Sequence, residues 1–242
     1  MSNQDQGKFD NYYESCFAGT KLHSPKESFD HYRRSFDWLL PADKQCRLLD
    51  FGAGLGNLTL WLMSQGYQSI TSIDVSKDQC AVAQEFGANV IHVPDSLSYL
   101  IEGKGSFDVI FLSDVIEHIP KSQMMDYMSA AKDALVEGGM LVVKTENVSS
   151  PTGIYQHHMD FTHEYNFVEK SLRQLLMMVG FREVEIRGPS MPWPRRPWLW
   201  WKPIVRMIYI GLIRVIYAAE QPRGDNNPRI FSNSLVARAY RK

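Results

Sequence analysis

From residue 48 onward, short apolar runs alternate with stretches whose apolar positions recur at helical spacing. The first kind reads as buried strand, the second as a helix packed along one face. Leu48 and Leu49 finish a first strand, and a second apolar run ends at Ile73-Asp74. Further strands are predicted over Asn89–Val93, Phe107–Leu112, Met140–Lys144, Phe181–Ile186 and Ser234–Tyr240. A helix opens over Asn57–Ser64. Ser76 with Gln79 reads as a capping box for the next helix, which Gly87 ends. Met124, Met128, Ala131 and Leu135 share a helical face closed by Gly138. Asn166 with Glu169 reads as the cap of a last helix, whose Val168, Leu172, Leu175, Leu176 and Val179 face inward until Gly180. This alternation predicts an α/β chain with a seven-stranded, doubly wound sheet and helices on both faces. Residues 1–46 carry Phe9, Tyr12, Tyr13, Phe17, Phe29, Tyr32, Phe36 and Trp38 at spacings suited to short helices, which either cap a ligand or pack on the sheet.

Where the first strand gives way to helix, residues 48–56 read Leu-Leu-Asp-Phe-Gly-Ala-Gly-Leu-Gly. Gly52, Gly54 and Gly56 let the backbone turn sharply and approach a ligand, and the helix start turns its N–H groups toward that ligand. Asp74 then stands where an acidic residue can accept ribose hydroxyls. A dinucleotide fingerprint spaces its glycines G-x-G-x-x-G. Here the third glycine comes one residue early, and Asp50 precedes the first by two. A carboxylate there repels a pyrophosphate but would hold an ammonium group. The spacing and Asp50 therefore argue against a nicotinamide-dependent oxidoreductase.

This combination resembles motif I of the class I S-adenosylmethionine methyltransferases, and the resemblance extends over roughly residues 46–187 and the final strand. It implies a Rossmann-like sheet and S-adenosylmethionine as cofactor. Asp95, after the third strand, would meet the adenine amino group, with Ser96 beside it and Ser113 at the end of the fourth strand completing the cofactor shell. Phe107-Asp108 followed by an apolar strand and Glu117-His118-Ile119-Pro120 is similar to the ubiquinone-pathway O-methyltransferases. Asp160-Phe161-Thr162-His163-Glu164, after the fifth strand, looks like methyltransferases of bacterial surface-polysaccharide pathways.

Methylating a hydroxyl calls for a general base. His163 is the first candidate and His118 the second, with His157, His158 and Asp160 behind them. His157 and His158, if extended, cannot both face one pocket. Glu117 is expected to orient its neighbours. Asp114, Glu117 and His118, at helical spacing, are the candidate ligands of a divalent ion such as the ubiquinone-type relatives use, but they lack the specificity of a zinc signature and the chain is expected to work without a metal. No amino-methylation signature follows the fourth strand, and neither a G-x-S-x-G elbow nor a Walker loop exists.

Composition adds the setting. Apolar residues make up 44% of 242 positions, enough for a real core. Three cysteines, Cys16, Cys46 and Cys80, form no pair spacing, and the polar N-terminus lacks an apolar signal region, so a cytoplasmic location is expected. The net charge of −1 hides an asymmetry, since 10 of the 26 basic but only 2 of the 27 acidic side chains lie beyond residue 190.

That basic end contains residues 188–230, set between the core segments 47–187 and 231–242. It begins with Trp193, Trp198, Trp200 and Trp201 among Arg195, Arg196 and Lys202, then runs apolar from Ile204 to Ala219, broken by Arg206 and Arg214. Two central arginines make it a poor transmembrane span. The segment reads as an interfacial helix on an anionic membrane surface, with a lid or a homodimer contact as the alternatives. Prolines and β-branched residues leave no continuous basic face for nucleic acid. The expected activity is O-methylation of a glycan or lipid-linked saccharide at the cytoplasmic membrane face, the alternatives being a small aromatic or quinone-type acceptor, or a silent binding subunit.

Overall fold

The structure, a computed structural model, describes residues 7–9, 12–17, 25–191, 193–194, 196–220 and 227–242. Seven strands form one sheet: β1 (Leu48–Phe51), β2 (Ile70–Asp74), β3 (Ile91–His92), β4 (Phe107–Ser113), β5 (Leu135–Glu146), β6 (Arg182–Arg187) and β7 (Ser234–Tyr240). Their order is β3-β2-β1-β4-β5-β7-β6, and β7 runs antiparallel to both its neighbours. Strand order reverses between β1 and β4, where ligands bind in open α/β sheets.

The central strands are buried on both faces, as parallel strands under crossover helices must be. Leu49, Phe51, Ile110, Leu112, Leu141 and Val143 join one core, while Leu48, Val109, Phe111, Met140 and Val142 join the other. The first core is closed by α5 (Ser96–Glu102), α6 (Met124–Ala134) and α8 (Glu169–Val179). The second is closed by α2 (Pro25–Phe36) and α3 (Asn57–Ser64), with Phe36 and Trp61 fully buried between them. Each such side chain contributes about 1.5–3 kcal/mol by leaving water. Three further helices are α1 (Tyr12–Phe17), α4 (Lys77–Glu85) and α7 (Pro151–Met159).

Local details depart from the pattern-based expectations. Ser76 does precede α4, but its hydroxyl donates to Asp78 and makes no cap bond, so there is no capping box with Gln79. α8 starts at Glu169 behind Val168 rather than at an Asn166 cap; Ser171 Oγ accepts from the Val168 N–H at 3.1 Å and satisfies the helix start. Strand pairing already includes Leu135, so β5 begins five residues before Met140 and Leu135 leaves its helical face. His157 and His158 lie on α7, not on an extended segment, which buries the first and exposes the second.

The connection between β6 and β7 holds a 3₁₀ turn at Pro197–Leu199 and a long helix, α9 (Trp201–Glu220). None of the α9 residues is buried. Arg206, Tyr209, Ile210, Ile213 and Tyr217 form a half-buried stripe, while Ile204, Val205, Met207, Ile208, Leu212, Val215 and Ile216 are exposed. Trp193, Trp198, Trp200 and Trp201 are each more than half exposed. Arg196 lies over Trp198 at 5.7 Å and Lys202 over Trp201 at 5.9 Å; Arg195 falls outside the described residues. No described helix is long and apolar enough to cross a membrane.

Candidate active site

The glycine loop follows β1 with Gly52, Gly54 and Gly56 all at positive φ. Space enforces two of them as well. A Cβ on Gly52 would lie 2.5 Å from Val115 Cγ2, and one on Gly56 would lie 2.3 Å from Ala88 Cβ. Asp74, at the end of β2, accepts the Gly54 N–H at 2.7 Å and the Ser76 N–H at 2.8 Å. Burial pushes its carboxyl up against those two bonds. Each carboxylate oxygen accepts two or more bonds, so capacity for hydroxyl donors remains.

Asp50 is placed differently from its expected role. Its carboxylate is 1% exposed beneath the loop and accepts from Thr59 Oγ1 at 2.7 Å, which also contacts Ser72 Oγ at 2.7 Å. The β-pleat turns it toward α3 rather than into the cleft. Burial pushes its carboxyl up to about 7, with Asp74 adding to the rise and Thr59 opposing it. Asp95 caps α5, accepting from the Ser98 N–H at 3.2 Å and the Ser98 hydroxyl at 2.8 Å, and these bonds hold its carboxyl low. It stands exposed, whereas Ser96 is buried against the Tyr127 hydroxyl at 3.2 Å. Ser113 lies half-buried at the end of β4, 3.4 Å from Asp114 Oδ2.

A cleft runs from Gly52, Asp74 and Ser96 to His118, with Phe9 and Tyr127 among its walls. His118 sits on a 3₁₀ turn after β4. Its Nδ1 is 2.8 Å from Thr162 Oγ1, and the Thr162 hydroxyl donates to Asp160 Oδ1 at 2.7 Å. With its one proton directed to Asp160, Thr162 accepts from Nδ1–H, which leaves the His118 Nε2 lone pair free. Burial, then His163, pushes the His118 imidazole down to about 4. Burial raises the Asp160 carboxyl, but bonds from Tyr12 and Thr162 outweigh it and the net shift is downward. Tyr12 belongs to α1, and the rings of Phe9 and Tyr12 pack on His118 at 5.9 and 6.0 Å.

His163, His118 and Asp160 thus come together, though His163 does not line the cleft. It packs behind His118 at 4.5 Å between ring centroids, with its side chain 6% exposed. Its Nδ1–H donates to the His157 carbonyl at 2.7 Å. The Glu117 carbonyl accepts from the Glu164 N–H at 2.6 Å, fixing the two loops together.

The donor set foreseen for a divalent ion does not assemble. Asp114 adopts φ +57°, off any helix, and its carboxylate is held by Lys144 Nζ. The Glu117 carboxyl is fully buried, and burial and Glu146 hold it well above the usual carboxylate range. The His118 ring groups with Asp160 and His163 instead of with Asp114 and Glu117. Thr162, Tyr127, Val115 and Lys144 had no site role in the sequence pattern, and of these only Thr162 carried a signal, as the hydroxyl within Asp-Phe-Thr-His-Glu; Tyr12 was among the N-terminal aromatic residues expected to cap a ligand or pack on the sheet.

The chain is similar to known methyltransferases in sequence and in fold. A methyltransferase-domain family model matches residues 23–186. The ubiquinone biosynthesis O-methyltransferase of Caulobacter sp. (strain K31) is 31% identical over 106 residues, covering 42% of this chain and 41% of that protein. The match thus spans less than half of that relative's length. A SAM-dependent methyltransferase from Archaeoglobus fulgidus superposes with a TM-score of 0.66 over 95% of this chain and 97% of that one, at 18% identity. Phosphoethanolamine N-methyltransferase 2 of Haemonchus contortus, solved with S-adenosyl-L-methionine, superposes with a TM-score of 0.57 at 21% identity, over 99% of this chain and 58% of that one.

Proposed function

The chain belongs to the class I S-adenosylmethionine-dependent methyltransferases, and on that premise we propose that it methylates a hydroxyl of a glycan or lipid-linked saccharide, with His118 as general base. The observation that carries this reading is the Asp160–Thr162–His118 chain of hydrogen bonds, which leaves Nε2 free on a residue lining the same cleft as Gly52 and Asp74. The cofactor, when bound, supplies a methyl group on a sulfonium. The protein's residues then need to align an acceptor oxygen, exclude water and take one proton. As the new oxygen–carbon bond forms and the sulfur–carbon bond breaks, His118 Nε2 takes the acceptor proton. Gly52, Gly54, Gly56, Asp74 and Ser96 make up the cofactor end of the cleft, with Asp50 bracing the loop from below through Thr59. His163 holds His118 in place by ring contact.

Support for a saccharide acceptor comes from the Asp160–Glu164 sequence. Support for a membrane setting comes from α9, whose exposed apolar face adjoins four exposed tryptophans with Arg196 and Lys202 among them. Tryptophan favours the headgroup level, and basic residues attract anionic lipid. A quinone-type phenol is the second reading, favoured by the apolar cleft walls Phe9, Phe51, Val115 and Ile119. Incubation with methyl-labelled cofactor and a panel of polyprenyl-linked saccharides and demethylated phenolic quinones separates the two. Label appearing only in the phenols would sink the saccharide reading.

A further inference from the structure

Asp114, Glu117 and Glu146 offer carboxylate oxygens that all lie within 4.8 Å of one another beside the cleft. Such a group is a ready oxygen-donor set for Mn²⁺ or Mg²⁺. Glu117 is fully buried, and neither of its oxygens has a hydrogen-bond partner; Glu146 Oε2 is likewise buried without one. Three carboxyl groups this close repel unless a positive charge or protons intervene.

The chain carries its own positive charge at this spot. Lys144 is 4% exposed, and its Nζ donates to Asp114 Oδ1 at 2.6 Å and also to Oδ2. The backbone is built around this pair. Ser113 is in register with Lys144 across β4 and β5, and the Asp114 N–H donates to the Lys144 carbonyl at 2.8 Å. Asp114 is held in the left-handed region, which costs on the order of 1 kcal/mol or more for a residue with a Cβ and persists only where the surroundings over-determine it. Lys144 and Glu146, two apart on β5, point to the same side of the sheet.

We propose that the Lys144 ammonium is a built-in cation that fills the role of a divalent ion at the Asp114–Glu117–Glu146 cluster, so that this enzyme works without metal. Removal of the ammonium should turn the cluster into a divalent-ion site.

The test uses Mn²⁺, followed by electron paramagnetic resonance, on the full chain with S-adenosylhomocysteine bound. Lys144→Met keeps the length of the buried stem and removes the charge. It should bind one Mn²⁺ with a dissociation constant at least tenfold below that of the wild type. Lys144→Arg should stay as indifferent to Mn²⁺ as the wild type, and Asp114→Asn added to Lys144→Met should abolish the gain. A purely structural Lys144 would alter stability without creating a manganese signal. The proposal is overturned if the wild type binds one Mn²⁺ as tightly as Lys144→Met. It is equally overturned if a Lys144→Met protein that still binds S-adenosylhomocysteine takes up none. Neither outcome depends on which acceptor is methylated.

Discussion

His118 Nδ1 lies 2.8 Å from Thr162 Oγ1, a contact that joins two loops 44 residues apart and ends on the Asp160 carboxylate. It decides which imidazole nitrogen is free in the cleft. His118→Ala should therefore keep cofactor affinity and lower turnover by roughly 10²–10⁴-fold. Thr162→Val, which keeps the shape and removes the hydroxyl, should lower turnover in the same direction but less. His163→Ala, behind His118, should cost less than His118→Ala. Steady-state kinetics ranking His163→Ala as the more damaging of the two would move the base to His163.

Acid sensitivity follows from the same burial. An ordinary histidine titrates near 6.5, whereas burial lowers His118 to about 4. The imidazole stays neutral and able to take a proton well below pH 6.5, so the acid limb of turnover set by this group should fall nearer 4. Its folded value is depressed, so its contribution to stability is complete above 6.5 and is lost as pH falls from 6.5 toward 4. Turnover and thermal melting measured over that window check both statements; an acid limb at 6.5 that persists in His118→Ala would assign it to another group.

Asp74 accepts the Gly54 and Ser76 N–H groups while standing where ribose hydroxyls are expected. Asp74→Ala removes charge-assisted bonds of about 1.5–3 kcal/mol each, so binding of S-adenosylmethionine should weaken at least tenfold. Calorimetry is the direct measurement, and unchanged affinity would remove Asp74 from the cofactor site.

Asp50 runs the other way. Its folded value, about 7, is raised above that of the unfolded chain, so ionising it costs stability as pH rises from about 4 to 7. Asp50→Asn keeps an acceptor for Thr59 and removes that cost. The cofactor-free variant should be more stable than the wild type at pH 8 by about 4 kcal/mol, a difference that vanishes near pH 4. Denaturant unfolding at the two pH values is the check; an equal difference at both would mean that packing, not ionisation, separates the proteins.

The α9 surface predicts binding to anionic vesicles that weakens as salt screens Arg196 and Lys202. Serine at Trp193, Trp198, Trp200 and Trp201 should release the protein from vesicles with cofactor affinity intact. Flotation without salt-dependent binding, together with protection of these tryptophans in a dimer, would favour a contact between two copies of the chain.

Much of this molecule was already legible in one dimension, because its determinants are local. Strand alternation and helical spacing are periodic, and the need for glycine at 52, 54 and 56 is a property of the backbone at those positions. Hence the seven strands, the loop after β1 and β7 at Ser234–Tyr240 were readable, with errors where capping side chains compete, as at Ser76 and Ser171. Asp50 is the clearest limit. Its place before the glycines is written in the chain, but the pleat of β1 and the reach of Thr59 decide that its carboxylate lies under the loop. The same holds for His118 and His163. Their residue types suggested a base, yet which ring reaches the cleft and which nitrogen is free depend on Thr162 and the His157 carbonyl, brought there by the packing of two loops. Lys144 gave no signal at all, since an apolar strand hides a lysine until the register of β4 against β5 sets it on Asp114. Sequence determined what backbone conformation and periodic burial require; tertiary structure decided everything that rests on a partner distant in the chain, because a hydrogen bond or an ion pair has no direction until both ends are fixed in space.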